Sequence, residues 1–263
     1  MNPSRLFVFA RRLVAAVLAS VAPFASADEV LLPSQPNLSP DGSRVAFAWR
    51  GDIWTVATKG GRAKRLTAHT GRDQQPKFSP DGKRLAFIGD RGAGAQVFVM
   101  AATGGEPIRQ TSHSAGYALE AWYPDGTYLL TSAVRDHGWK RGERFFQTAV
   151  VDDADKQHAD QLLFDDYGTE ASLSPDAKQL LFVREGAPWW RKGYVGSQDA
   201  QIWRYDFATK QFTKIVAASG GCRWPLWKPD GTGFYYVSGE SRILNLWEHD
   251  LKAGTGRQIT RYT

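Results

Sequence analysis

The chain has 263 residues, 42% hydrophobic and 23% charged, enough to bury at least one sizeable core and too apolar for a disordered polymer. Glycine and proline, at 26 and 13 residues, lie near ordinary usage and exclude collagen-like or low-complexity readings, while the single cysteine, Cys222, excludes a disulfide framework or a cysteine-rich metal cluster. The formal charge of +6 falls to +3 once Arg5, Arg11 and Arg12, in a segment read below as removed, are set aside, which leaves no nucleic-acid footprint.

Residues 1–27 have the three parts of a secretory signal: the cations Arg5, Arg11 and Arg12, an apolar run from Leu13 to Ala22, and Ala25-Ser26-Ala27 ahead of Asp28. The apolar run falls short of the ~20 residues of a membrane span. The segment therefore predicts export to the periplasm or beyond, by the general or the twin-arginine route, with no membrane span in the mature chain.

Residues 28–263 read as a repeat array. Ser39-Pro40-Asp41-Gly42, Ser79-Pro80-Asp81-Gly82, Tyr123-Pro124-Asp125-Gly126, Ser174-Pro175-Asp176-Ala177 and Lys228-Pro229-Asp230-Gly231 recur with their aspartates 40, 44, 51 and 54 residues apart. Each is a turn: proline presets φ, aspartate hydrogen-bonds the following backbone, and glycine takes a positive φ. Ala177, in the glycine position, requires another geometry or strain. An apolar strand follows each turn, with Val45 and Phe47, Leu85 and Phe87, Leu129 and Thr131, Leu180 and Phe182, and Phe234 and Tyr236 on one face. The alternate positions, Ala46, Ala86, Leu130, Leu181 and Tyr235, are apolar too, so both faces are expected to be buried.

Third strands are predicted at Ile53–Val56, Val97–Met100, Ile202–Tyr205 and Leu246–His249. Polar outer strands follow, ending at Arg65-Leu66-Thr67, Arg109-Gln110-Thr111 and Gln258-Ile259-Thr260, and short inner strands such as Pro76–Phe78 and Pro225–Trp227 precede each turn. Four-stranded units with two buried faces stack in a ring, so the fold class is all-β, a β-propeller. A β-sandwich would need no near-forty-residue period. Five repeats are present, read as part of an incomplete six-bladed ring rather than a five-bladed closure, with residues 28–33 placed to supply a closing strand. Helix is left open only at residues 154–161.

The stretches Gly51–Val56, Gly60–Thr67 and Phe78–Phe87 resemble the repeats of tricorn-type proteases and of TolB. Trp189–Tyr194 leading into Gly196–Trp203 is similar to an inserted loop of the first propeller in bacterial tricorn homologues. The resemblance implies a six-bladed propeller that precedes a second propeller, a PDZ-like domain and a serine-peptidase core. It assigns no catalytic residue to this chain, because the family's catalytic groups lie in those later domains.

From the residues themselves, no Gly-x-Ser-x-Gly elbow, phosphate loop or dinucleotide fingerprint is present, and no cofactor or metal is assigned. His69, His113 and His249 are read as solvated or turn-capping, His137 and His158 as loop residues, and Asp152, Asp153, Asp155, Asp165 and Asp166 as solvated acidic positions. The sharper candidates are two loops, 136–143 and 185–199, that each join the second strand of a blade to the third. They bring Trp139, Lys140 and Arg141 together with Trp189, Trp190, Arg191, Lys192 and Tyr194 at one end of the ring, a basic aromatic face suited to peptides or a docking domain. The alternative is that these rings merely cover blade ends. The functional expectation is a non-catalytic propeller segment of an exported tricorn-like peptidase, a scaffold and gate for peptides with other domains or subunits as partners and an oligomer left open. A self-contained TolB-like interaction module and the propeller of a prolyl-oligopeptidase-like hydrolase are the alternatives.

Overall fold

The computed structural model describes residues 30, 32–92, 94–135, 142–186 and 194–263. They form five antiparallel four-stranded sheets in strict chain order. Blade one is β1 (Ser34–Leu38), β2 (Arg44–Trp49), β3 (Asp52–Ala57) and β4 (Lys64–Arg65), and blade two is β5 (Asp73–Phe78), β6 (Arg84–Asp90), β7 (Ala95–Ala101) and β8 (Ile108–Arg109). Blade three is β9 (Ala118–Trp122), β10 (Tyr128–Ala133), β11 (Arg144–Ala149) and β12 (Gln161–Leu162), and blade four is β13 (Thr169–Leu173), β14 (Gln179–Arg184), β15 (Gln201–Asp206) and β16 (Gln211–Val216). Blade five is β17 (Cys222–Trp227), β18 (Gly233–Ser238), β19 (Asn245–Asp250) and β20 (Thr255–Gln258). The first strands pack in succession, β1 on β5, β5 on β9, β9 on β13 and β13 on β17, and surround a common axis, so the molecule is a β-propeller.

The repeated turns have one mechanism. Ser39 Oγ donates to Asp41 Oδ1 at 2.5 Å and accepts the Arg44 N–H at 2.9 Å, while Asp41 also takes the Ser43 N–H and hydroxyl. Those donors hold the Asp41 carboxyl down to about 2. Ser79 with Asp81 and Ser174 with Asp176 repeat the arrangement. Ala177 keeps the turn's geometry at φ 55°, so of the two options open to it the strained one holds.

The second strands are buried on both faces because each blade lies between neighbours. Phe78, Trp122, Leu173 and Trp227, the residues just ahead of each turn in blades two to five, are buried against the preceding blade. Polar bonds reinforce the stacking: Trp122 Nε1 donates to the Lys77 carbonyl at 2.9 Å and Trp227 Nε1 to that of Ser172 at 3.0 Å. Arg84 donates to the Gly126 carbonyl at 2.7 Å and lies over the Trp122 ring.

The two terminal blades depart from this pattern. Leu38, the blade-one counterpart of Phe78, is 56% exposed against 7%. Leu246, the blade-five counterpart of the fully buried Ile53, Val97, Phe145 and Ile202, is 37% exposed, and Leu226 is exposed beside it. One apolar face of blade one and one of blade five are thus uncovered by described residues.

Three expectations are corrected. Val30, Leu32 and Pro33, within the segment assigned to a closing strand, lie outside every strand, and the chain enters the sheet at Ser34, after a proline that has no ladder N–H to give. The outer strands of blades one, two and five stop at Arg65, Arg109 and Gln258, two residues short of the predicted ends, because a threonine hydroxyl takes over from the backbone carbonyl: Thr67 Oγ1 accepts the Ile53 N–H and Thr111 Oγ1 that of Val97, each at 2.9 Å, and Thr260 Oγ1 that of Leu246 at 2.8 Å. The segment left open as helix contributes a single 3-10 turn at Ala154–Lys156, capped by Asp153.

Candidate functional site

Every inner strand is interrupted where it meets the axis. The register of β1, β5, β13 and β17 against the second strand breaks at Gln35, Gln75, Glu170 and Trp224, each at a positive φ between 51° and 55°, and β9 bulges at Glu120. A bulge re-aims a side chain, and here it re-aims one toward the next blade. Gln35 Oε1 accepts the Gln75 N–H at 2.9 Å, Glu120 Oε2 the Ala171 N–H at 2.9 Å, and Glu170 Oε2 the Trp224 N–H at 3.0 Å, with a longer contact of 3.5 Å from Leu119 N–H to Gln75. These bonds link each blade to its successor around a cavity of about 360 Å³ whose wall includes Gln35, Gln75, Lys77, Glu120, Glu143 and Glu170.

The wall is polar and poorly solvated. Ser132 Oγ lies 2.8 Å from Glu120 Oε1 and 2.5 Å from Glu143 Oε2, so its single hydroxyl hydrogen is shared between two carboxyl groups. Burial raises the Glu120 pKa, although Ser132, the Ala171 N–H and the charge of Lys77 oppose it. Burial likewise raises Glu170 despite the Trp224 N–H and an ion pair with Arg223 at 3.1 Å, and lowers Lys77. Among the described residues the side-chain partners of Ser132 are these two carboxyl groups, and no imidazole is among them. Among the described residues no group of three histidine, cysteine or acidic side chains is arranged to hold a metal ion.

The two candidate loops leave β10 for β11 and β14 for β15, as the repeat phase requires. Their roots meet at Tyr167, in the connection from blade three to blade four. Its hydroxyl donates to Glu185 Oε1 at 2.5 Å, and a Cβ on Gly142 would lie 2.9 Å from its own Cβ. Trp139, Lys140, Arg141, Trp189, Trp190, Arg191 and Lys192 lie outside the described residues, as does His137. Tyr194 is described and folds back on its own loop, its hydroxyl accepting the Gln198 N–H at 3.3 Å.

His69 and His113 cap turns, their Nδ1 atoms accepting the N–H groups of Gly71 and Ala115. His158 is exposed. His249 departs from the solvated or turn-capping expectation: it is buried in β19 and stacked on Phe234, because its strand position faces blade four rather than a blade end. Asp152, Asp153 and Asp155 are exposed, as solvated positions should be, whereas Asp165 pairs with Arg144 and the partly buried Asp166 with Arg184, a departure from the solvated reading. Sequence reasoning missed the axial residues, although Gln35-Pro36, Gln75-Pro76 and Trp224-Pro225 recur in phase four residues ahead of the turn prolines. A proline inside a strand pattern is the mark of a bulge.

An all-β ring of in-order four-stranded blades around a polar axial cavity defines a β-propeller. Residues 30–263 match the family model described as the tricorn protease N-terminal β-propeller domain, and the chain belongs to that family. Among solved structures it is similar to the tricorn protease, with a TM-score of 0.72 and 22% identity over 88% of this chain and 22% of that one. It is also similar to a putative TolB from Agrobacterium tumefaciens, with a TM-score of 0.68 and 20% identity over 86% of this chain and 80% of that one. The uncharacterized peptidase YuxL of Bacillus subtilis is 25% identical over 210 residues, 75% of this chain and 28% of YuxL. The chain therefore spans about a quarter of the length of the peptidases it matches.

Proposed function

We propose that this chain is the non-catalytic propeller segment of an exported tricorn-like serine peptidase, where it serves as a scaffold for other domains and a gate for peptides along its axis. The observation that carries the reading is the pair of uncovered apolar faces on blades one and five, flanking a polar axial cavity, in a member of a peptidase propeller family. Apolar surface of this kind is stabilised by partner structure, and each leucine covered contributes roughly 1.5–3 kcal/mol. A further blade would cover both faces together, and the basic aromatic loops 136–143 and 185–199 would engage a neighbouring domain or a peptide at the end of the ring.

Two measurements test this. Mass spectrometry of the protein recovered from an exporting host should find a mature chain beginning at Asp28; a full-length chain retained in the cytosol contradicts export. The double substitution Trp190→Ala with Arg191→Ala should weaken association with the peptidase domains supplied as a separate polypeptide, and unchanged assembly would overturn the docking role. The coverage of the TolB chain supports a second reading, a self-contained envelope interaction module. Capture of an envelope protein by the chain, with no affinity for peptidase domains, would favour it.

A further inference from the structure

Blades four and five enclose a second cleft, of about 490 Å³, between β16 and the outer half of blade five. Three aromatic residues that carry hydrogen-bonding groups line it: Tyr236, Trp247 and His249. Tyr236 occupies the position of Phe47, Phe87, Thr131 and Phe182, and His249 that of Val56, Met100, Thr148 and Tyr205, so blade five is the one that places an imidazole there. The indoles equivalent to Trp247 are satisfied, Trp54 by the Trp49 carbonyl and Trp203 by Gln201 Oε1, whereas Trp247 Nε1 is buried without a partner.

The site is shaped for these groups. Tyr236 is 3% exposed and His249 6%, and among the described residues neither the hydroxyl nor the imidazole has a hydrogen-bond partner. A Cβ on Gly256 would lie 2.6 Å from Tyr236 Oη, so glycine in the outer strand is what leaves room for the hydroxyl. Blade five thus gathers hydrogen-bonding groups around the cleft and clears space for them, and the buried Trp247 N–H carries a desolvation cost of about 1–3 kcal/mol while it is unpaired. That cost is recovered when a ligand supplies the missing partners.

The chemistry of the wall selects the ligand. Burial lowers the His249 pKa and raises that of Tyr236, so both are uncharged near neutral pH. No lysine or arginine lines the cleft, and Glu240 stands at its rim, which disfavours an anion. The indole is a donor, the phenol a donor, and neutral imidazole offers one donor and one acceptor. We propose that this cleft is a binding site for an uncharged amide, a peptide main-chain group or a carboxamide side chain, whose carbonyl accepts from Tyr236 and Trp247 and whose N–H donates to His249. The site is independent of the scaffold role, since it uses neither the axial cavity nor the uncovered faces.

The test is a titration of the full chain, ¹⁵N-labelled at tryptophan, with N-acetylalaninamide. The Trp247 indole signal is assigned by its loss in Trp247→Phe. The expected result is a saturable shift of that signal, with affinity at least fivefold weaker in Tyr236→Phe and in His249→Val, which restore residue types found in blade one. Thermal melts of the variants establish that they are folded. A shift that does not saturate, or an affinity in either variant equal to that of the unsubstituted chain, would overturn the proposal. Acetate and methyl glucoside, titrated into the unsubstituted chain, keep the test decisive if a variant fails to fold: saturation of the same signal by either, as tightly as by the amide, would overturn the ligand assignment.

Discussion

Replacing Ala177 by glycine should stabilise the propeller, against the usual expectation that glycine loosens a chain. Gly42, Gly82, Gly126 and Gly231 end their turns at φ between 68° and 71°, and Ala177 is held at φ 55° by the same bond, its N–H donating to the Ser174 carbonyl at 2.9 Å. A left-handed residue with a Cβ costs about 1–2 kcal/mol. Glycine removes that strain but gives back about 0.4–1 kcal/mol through the freedom it adds to the unfolded chain. The methyl group also gives up a half-buried contact with the core between blades three and four. The net expectation for Ala177→Gly is a gain of about 0.5–1 kcal/mol. The reciprocal change, Gly231→Ala, isolates the strain, because a Cβ there meets no atom within 4 Å. It should cost about as much as Ala177→Gly gains. Urea unfolding followed by circular dichroism reads both as shifts in midpoint at unchanged slope. Destabilisation by Ala177→Gly, or a neutral Gly231→Ala, would refute the reasoning.

Glu120→Gln should raise the melting temperature at pH 7 and leave it unchanged at pH 3. A carboxyl whose pKa is raised in the folded state contributes stability that is full below its ordinary value of 4.5 and is lost as pH rises through the folded value, and the amide removes that loss; an equal effect at both pH values would contradict it. The turn aspartates have the opposite sign. Asp41, Asp81, Asp125, Asp176 and Asp230 all have lowered pKa values, so their contribution is present above 3.8 and is lost as pH falls through those lowered values, about 2 in the case of Asp41. Substituting asparagine at Asp41 and Asp81 should therefore flatten the acid limb of a stability profile, and an unaltered limb would count against the shared turn mechanism.

The blades were legible in the sequence because each turn combines proline, aspartate and glycine at one spacing, and because alternating apolar positions, Val45 and Phe47 among them, place the second strand. The ends of the outer strands were not, since a threonine hydroxyl that replaces a carbonyl, as Thr67 does for Ile53, looks in sequence like one more polar strand residue. The axial residues were hidden for a similar reason: whether Gln75 faces solvent or the next blade depends on a bulge, and only the proline after it hints at one. His249 and Tyr236 carry no local signal of a site. Their significance emerges only when the blades are superposed in register, where Tyr236 aligns with three phenylalanines and Thr131, and His249 with Val56, Met100, Thr148 and Tyr205.

The blades stack radially, and the outward faces of the first and last are uncovered by described residues. Hydroxyl-radical footprinting of the chain, read residue by residue by mass spectrometry, tests this arrangement most directly. The account predicts ready oxidation of Leu38, Leu226 and Leu246 and protection of their counterparts Phe78 and Ile53. Equal protection of Leu38 and Leu246 with those counterparts would mean that blade five closes on blade one, and would contradict it.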